Sequence, residues 1–396
     1  MKEAGHRTAA LCKALRFLVA WRTGRSDVVE SEIFIHRDTG QVPVSVLRSR
    51  RRAPRRGWIL LHGLTRPGRA HPRLLRFARA LAASGDVAVI PEIPEWRELK
   101  LAPAAANPAL QAGLDALSAT MDESAGTQTG TGRTTIASIG GAPTPANLST
   151  GAITFSFGVP HTLAATTEPE LRGCLDRVVS FGGYADLAGT VRYLFTGDDG
   201  TPDAPLPDPY GRWIIAGNFL TLVPEYEAAV DVAGGVLALA SEAGDKGVPS
   251  WNPVFEPSRL RLRAGVAEKR RPLFDLIAPP GRELPDRTEA LRLVDQLLSG
   301  ALRICPELEP SETLPFVTAP VHIFHGVGDN LIRPDQARHL AVALGGPTSS
   351  TVSRLLAHSD EEPWPGPVSA LRELWTLLGG FARAFGEQAV GGGSLR

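Results

Sequence analysis

Apolar and polar residues alternate through Glu32-Ile-Phe-Ile-His36 and Val42-Pro-Val-Ser-Val-Leu47. This pattern predicts two strands, with Asp38-Thr-Gly40 supplying the turn between them. Trp58-Ile-Leu-Leu-His62 and Val87-Ala-Val-Ile90 are short continuous apolar runs, as expected of strands covered on both faces. Ile153–Phe155, Arg177–Phe181, Val321–Phe324 and Thr351–Leu356 extend the series to eight predicted strands. Leu74–Ala83, Ala109–Met121, Pro334–Leu344 and Val368–Phe385 carry apolar residues at helical spacing. Strands alternating with helices predict an α/β chain whose mostly parallel sheet is flanked by helices.

Two stretches break that rhythm. Glu123–Thr150 is rich in Gly, Thr, Ser and Ala and reads as a long loop. Tyr184–Leu314 shows no strand alternation. It holds a Pro/Asp/Gly-rich segment, Gly197–Pro209, and helical patterns near Ala228–Glu242 and Thr288–Ala301. It reads as a helical insertion over 184–314 between the two parts of a core at 28–183 and 315–387, with a flexible tail at 388–396. Residues 1–27 form an N-terminal extension. Its apolar stretch Ala9–Trp21 is interrupted by Lys13 and Arg16, is too short to span a bilayer, and is followed by Arg22-Thr-Gly-Arg25 rather than a small-residue cleavage site. It is therefore expected to be a helix packed on the body or on a partner subunit. A weak interfacial membrane helix is the lesser alternative.

Composition narrows the function classes. The chain has 396 residues, 43% of them hydrophobic and 21% charged, enough apolar sequence for a large core. Basic and acidic residues both number 42, so the formal charge is zero, which argues against a dedicated nucleic-acid binder. Cys12, Cys174 and Cys305 are far apart, odd in number and without CxxC spacing. A disulfide framework is not expected, and a reducing, cytoplasmic setting fits. The basic run Arg48–Arg56 reads first as a solvated turn and second as an attractor of anionic lipid or substrate.

Four segments carry candidate chemistry. Thr154-Phe-Ser-Phe-Gly158 follows an apolar strand and precedes a helix pattern, the context of a G-x-S-x-G nucleophile elbow. Gly158 satisfies the requirement for a small residue after the serine, whereas Thr154 departs from the usual glycine before it. Leu60-Leu-His-Gly-Leu64 ends the third strand, so that the Leu64 and Phe157 backbone N–H groups could form an oxyanion hole. His62 would then be a core histidine. Asp329 lies in His325-Gly-Val-Gly-Asp-Asn-Leu-Ile-Arg-Pro334, at the carboxyl end of a strand, where open α/β sheets bind ligands. His358 lies on a loop after the last predicted strand, in Leu355-Leu-Ala-His-Ser-Asp360.

The order Ser156, Asp329, His358 is the serine–acid–histidine order of the α/β-hydrolases. Over Val28–Gly182 and Thr318–Phe385 the chain resembles that superfamily, and is similar to bacterial hydrolases of the esterase and dienelactone-hydrolase kind. The resemblance implies an eight-stranded, mostly parallel α/β-hydrolase fold with a mainly helical cap formed by the insertion. It also implies a Ser156–His358–Asp329 triad, no cofactor and no metal. The reaction expected is hydrolysis of a small-molecule carboxylic ester through an acyl-enzyme. Acyl transfer, C–C hydrolysis or peptidase chemistry on the same triad are the alternatives, as is a binding protein without catalysis. Asp186 is the rival acid. His161 reads as a packing or pocket residue, His339 as a solvent-facing helix residue and Asp360 as a solvated loop residue. The insertion's aromatics (among them Tyr193, Phe195, Trp213 and Phe255) could line an acyl pocket or build the insertion's own core.

Overall fold

The computed structural model describes residues 2–37, 40–125, 134–136, 149–198, 205–356 and 367–386. Its strands are β1 (Val28–Arg37), β2 (Gly40–Ser49), β3 (Arg56–Leu61), β4 (Val87–Pro91), β5 (Thr134–Ile136), β6 (Ser149–Phe155), β7 (Arg177–Phe181), β8 (Val321–Gly326) and β9 (Thr348–Ser353). They form one sheet in the order β5-β1-β2-β4-β3-β6-β7-β8-β9. β2 runs antiparallel to both neighbours and every other pairing is parallel. All eight predicted strands are present. A ninth, β5, adds to the edge beside β1, within the stretch expected to be only loop. β9 starts three residues earlier than predicted and ends at Ser353, so Arg354–Leu356 lie beyond the sheet.

The helices are α1 (Lys2–Thr23), α2 (Pro72–Ser84), α3 (Pro94–Arg97), α4 (Ala106–Ala125), α5 (Gly158–Ala165), α6 (Leu187–Thr196), α7 (Pro209–Phe219), α8 (Val230–Lys246), α9 (Glu256–Gly265), α10 (Arg271–Ile277), α11 (Arg287–Ile304), α12 (Gln336–Ala343) and α13 (Pro367–Phe385). Among the described residues, no helix is long and apolar enough to cross a membrane. The side chains of β3, β4, β6, β7 and β8 alternate between two cores. On one face Trp58, Leu60, Ile90, Ile153, Val179 and Phe324 pack against α1, α2 and α13. Phe17 of α1 is fully buried there, with ring centroids 4.9–5.0 Å from Phe77, Phe381 and Phe385. Burial of one such side chain contributes about 2–3 kcal/mol, so α1 packs on the body, as the favoured reading of the extension anticipates.

The other face, with Ile59, Leu61, Val89, Ala152, Val178 and Ile323, packs against α4, α5 and α12, and its apolar cluster runs on into α6–α11. Between β7 and β8 the described residues form helices and connections only. Asp186, Asp208 and Asp286 start α6, α7 and α11, each accepting a hydrogen bond from a first-turn amide. Tyr193, Phe195, Trp213 and Phe255 are buried in this cluster. At the amino edge of the sheet, Arg56 and Arg177 donate to the last carbonyls of α13 and to Gly386, which satisfies a helix end with two buried guanidinium groups.

Candidate active site

β6 ends at Phe155 and α5 begins at Gly158, so the chain reverses from strand to helix within two residues. Ser156 makes the turn with φ +53°, and Leu99 is the other non-glycine residue with positive φ among the described residues. An L-residue in this region costs of order 1–2 kcal/mol. The surrounding bonds hold it there. The Ser156 N–H donates to Phe181 O at 2.8 Å, and Val159 N–H donates to Ser156 O at 3.0 Å. Ser156 itself is only half-buried. A Cβ at Gly158 would stand 2.9 Å from the Trp96 ring and 3.0 Å from Thr154 Oγ1, so glycine is required. Thr154 fits at the position where glycine is usual because its fully buried hydroxyl accepts a hydrogen bond from Thr162 Oγ1 of α5 at 2.9 Å.

Pairing between β3 and β6 sets Leu61 opposite Thr154. The segment leaving β3 therefore emerges beside the serine turn. A Cβ at Gly63 would be 3.1 Å from both Phe155 O and Ser156 Cβ, so a larger residue would push these neighbours back by a few tenths of an ångström. Among the described residues, the Leu64 and Phe157 N–H groups make no backbone hydrogen bond. His62 is buried, and burial lowers its pKa to about 4, so it is neutral at pH 7. Its Nδ1–H donates to Gly63 O at 2.8 Å. The ring thus braces the backbone of this segment, in keeping with a core role. Trp96, Phe157 and His161 form an aromatic wall behind the turn, with centroids 5.8 Å and 4.4 Å apart in succession.

Asp329 follows β8, at the same carboxyl edge of the sheet as Ser156, with β7 lying between their strands. It is 2% exposed. Its Oδ1 accepts from the Leu331 and Ile332 amides, each at 3.0 Å, and its Oδ2 lies 3.4 Å from His325 Nε2. His325 spends its Nε2–H on Ile332 O at 2.8 Å. The carboxylate is therefore held in one orientation by its own loop. β9 ends alongside β8, and the described chain runs on to Leu356. His358 and Asp360 lie outside the described residues, as does the tail 388–396.

The rival residues have other partners. Asp186 caps α6 by accepting from Gly189 N–H at 2.8 Å. His161 is buried, and burial pushes its pKa down to about 3. Tyr184 Oη donates to Leu308 O at 3.0 Å, so His161 Nε2, 3.1 Å from Tyr184 Oη, must be the donor in that contact. His339 is half-buried on α12 beside Arg338. Two contributors to the site escaped the sequence reading. Trp96 walls the elbow, and fully buried Gln336 accepts from the Ala185 and Asp186 amides, each at 3.0 Å. Neither is titratable or part of a motif, so no local signal marks them. Cys12, Cys174 and Cys305 are free thiols, and among the described residues no group of three His, Cys, Asp or Glu could hold a metal.

No family model matches the chain, and no curated protein matches it in sequence. Solved structures do match. Acylaminoacyl peptidase from Pyrococcus horikoshii aligns at 11% identity and TM-score 0.46, covering 93% of this chain and 44% of that one. Brefeldin A esterase, a bacterial homologue of human hormone-sensitive lipase, aligns at 16% identity and TM-score 0.41, covering 96% and 84%. A dienelactone hydrolase from Anabaena variabilis aligns at 12% identity and TM-score 0.41, covering 88% and 96%. This chain thus spans less than half the length of the acylaminoacyl peptidase. The strand order with β2 alone reversed and the sharp strand–turn–helix at Ser156 are features of one architecture; the chain has the α/β-hydrolase fold.

Proposed function

We propose that the protein is a serine hydrolase of small carboxylic esters, with Ser156 as nucleophile, His358 as general base and Asp329 as the acid that orients it. The observation that carries this reading is the φ of +53° at Ser156, a strained and accessible serine between a strand and a helix. Backbone strain of this kind clusters at functional sites. In the proposed reaction His358 takes the Oγ proton as Oγ bonds to the carbonyl carbon. The Leu64 and Phe157 amides receive the oxyanion, each such donor being worth about 3–4 kcal/mol. The acyl–oxygen bond then breaks and the alcohol leaves with the proton from His358. Water, deprotonated by the same imidazole, adds to the acyl-enzyme and releases the acid. The helices over 184–314 act in this reading as a cap that selects the acyl group.

Hydrolysis of p-nitrophenyl esters from acetate to palmitate tests the proposal. Wild type should show a burst of p-nitrophenol matching the enzyme concentration. Ser156→Ala should lose about 10⁶-fold in kcat and Asp329→Asn about 10⁴-fold. The wild-type rate should rise with pH as the imidazole base loses its proton. Full turnover by Ser156→Ala would end this reading.

A further inference from the structure

Leu99, at φ +61°, and Ser156 are the two non-glycine residues with positive φ among the described residues. Trp96 connects their segments. Its ring meets those of Phe157 and His62 edge-on, with centroids 5.8 Å and 6.1 Å away, and stands 2.9 Å from where a Cβ on Gly158 would be. Phe157 carries one proposed oxyanion donor. His62 braces Gly63, the residue before the other donor, Leu64. Both donor segments therefore lean on one indole. That indole is fully buried, and its Nε1–H donates to Ala102 O at 2.8 Å. The position of Ala102 thus sets the orientation of the ring.

Ala102 closes a tight connection after α3. Leu99 N–H donates to Trp96 O at 3.1 Å, Lys100 N–H to Glu95 O at 2.8 Å and Ala102 N–H to Lys100 O at 3.0 Å. Leu99 is fully buried in a left-handed backbone conformation that an L-residue resists, so the connection must be held from outside. Asn218 of α7 holds it. Its Nδ2 donates to Leu99 O at 2.9 Å and its Oδ1 accepts from Leu101 N–H at 3.2 Å. The remaining Nδ2 proton goes to Ile214 O at 2.8 Å, one turn back in α7, which fixes the amide on its own helix. One planar group thereby clamps the backbone on both sides of Lys100. We propose that Asn218 is a positioning residue for the oxyanion hole: by clamping Leu99 and Leu101 it seats Trp96, and Trp96 in turn holds the Phe157 and Leu64 amides in place. This assignment rests on the proposed reading of Ser156 as the nucleophile. Through it, the segment between β7 and β8 bears on the chemical step and not only on the choice of acyl group.

Steady-state hydrolysis of p-nitrophenyl acetate by the full-length protein, paired with hydrogen–deuterium exchange read by mass spectrometry, tests the assignment. Alanine suits a helix, so Asn218→Ala keeps α7 and removes the clamp. It should lower kcat about tenfold and change KM less than about twofold, because a displaced donor is felt in the transition state. Exchange should quicken about tenfold in the peptide over 95–102 and also in the peptide over 156–163, although the substitution lies in neither. Leu74→Ala, a buried residue on the opposite face of the sheet, lowers stability without touching this chain of contacts and should leave kcat unchanged. Exchange needs no turnover, so the two failures are distinguishable. Wild type without hydrolysis that depends on Ser156 removes the reading beneath the assignment. Where wild type shows such hydrolysis, an unchanged kcat in Asn218→Ala, or faster exchange confined to 95–102, overturns the assignment itself. An equal loss of kcat in Leu74→Ala also overturns it, as a general effect of stability.

Discussion

At the residue scale, the site depends on two backbone conformations. Ser156 holds a positive φ that an L-residue resists. Replacing it with glycine removes the strain, so Ser156→Gly should exceed Ser156→Ala in stability by about 1 kcal/mol, beyond the entropy that glycine adds to the unfolded chain. Urea denaturation measures the difference, and an alanine variant as stable as the glycine one would mean that the turn is relaxed. Gly63 is the second. A methyl group there meets Ser156 Cβ and Phe155 O at 3.1 Å. Gly63→Ala should therefore displace the Leu64 amide and lower kcat by about 10–100-fold with the fold intact. The local sequence around Ser156, Gly158 and Asp329 made these residues recognisable as candidates. The sequence marks His62-Gly63 as the turn that aims the Leu64 amide, but the close approach of Gly63 to Ser156 is not legible in it, because that arises from the register between β3 and β6 rather than from neighbours in the chain.

At the element scale, legibility followed the strength of periodicity. The buried strands β3 and β4 and the helices α2 and α13 have strongly apolar or sharply two-sided patterns and fell close to their predicted bounds. β9 is Thr-Ser-Ser-Thr-Val-Ser, an edge strand with one large apolar residue, so the apolar Leu355 and Leu356 drew the prediction past its true end. β5 has three residues, too few for alternation to register. α1 reads as a helix packed on the body or on a partner subunit, but the face that packs is not legible in its sequence: Leu11, Leu15 and Val19 face outward while Ala14, Phe17 and Ala20 are buried. This makes Phe17 the sharpest test of the element. Phe17→Ala should destabilise the protein by about 3–5 kcal/mol. A loss below 1 kcal/mol in chemical denaturation would show that α1 is not docked in solution.

For the whole molecule, three neutral histidines link the core to pH. Burial lowers the pKa of His62 to about 4, His161 to about 3 and His322 to about 4. In the unfolded chain each titrates near 6.5, so below that pH the unfolded state binds more protons. Their contribution is complete above about pH 6.5 and is lost as pH falls toward 4, by about 1.4 kcal/mol per pH unit for each histidine. Calorimetric melting should show a falling Tm from pH 6.5 to 4.5, with a smaller slope in His161→Asn; a constant Tm across that range would contradict neutral burial. The helical character of the segment between β7 and β8 was legible from its lack of strand alternation. Its shared apolar core with the sheet was not, since that depends on which helix faces meet. The central claim is that this fold presents an activated serine at position 156. Labelling with a fluorophosphonate probe, followed by peptide mapping, tests it most directly. The account predicts label confined to the peptide carrying Ser156 and absent from Ser156→Ala. Label on another serine, or none on the folded protein, would contradict it.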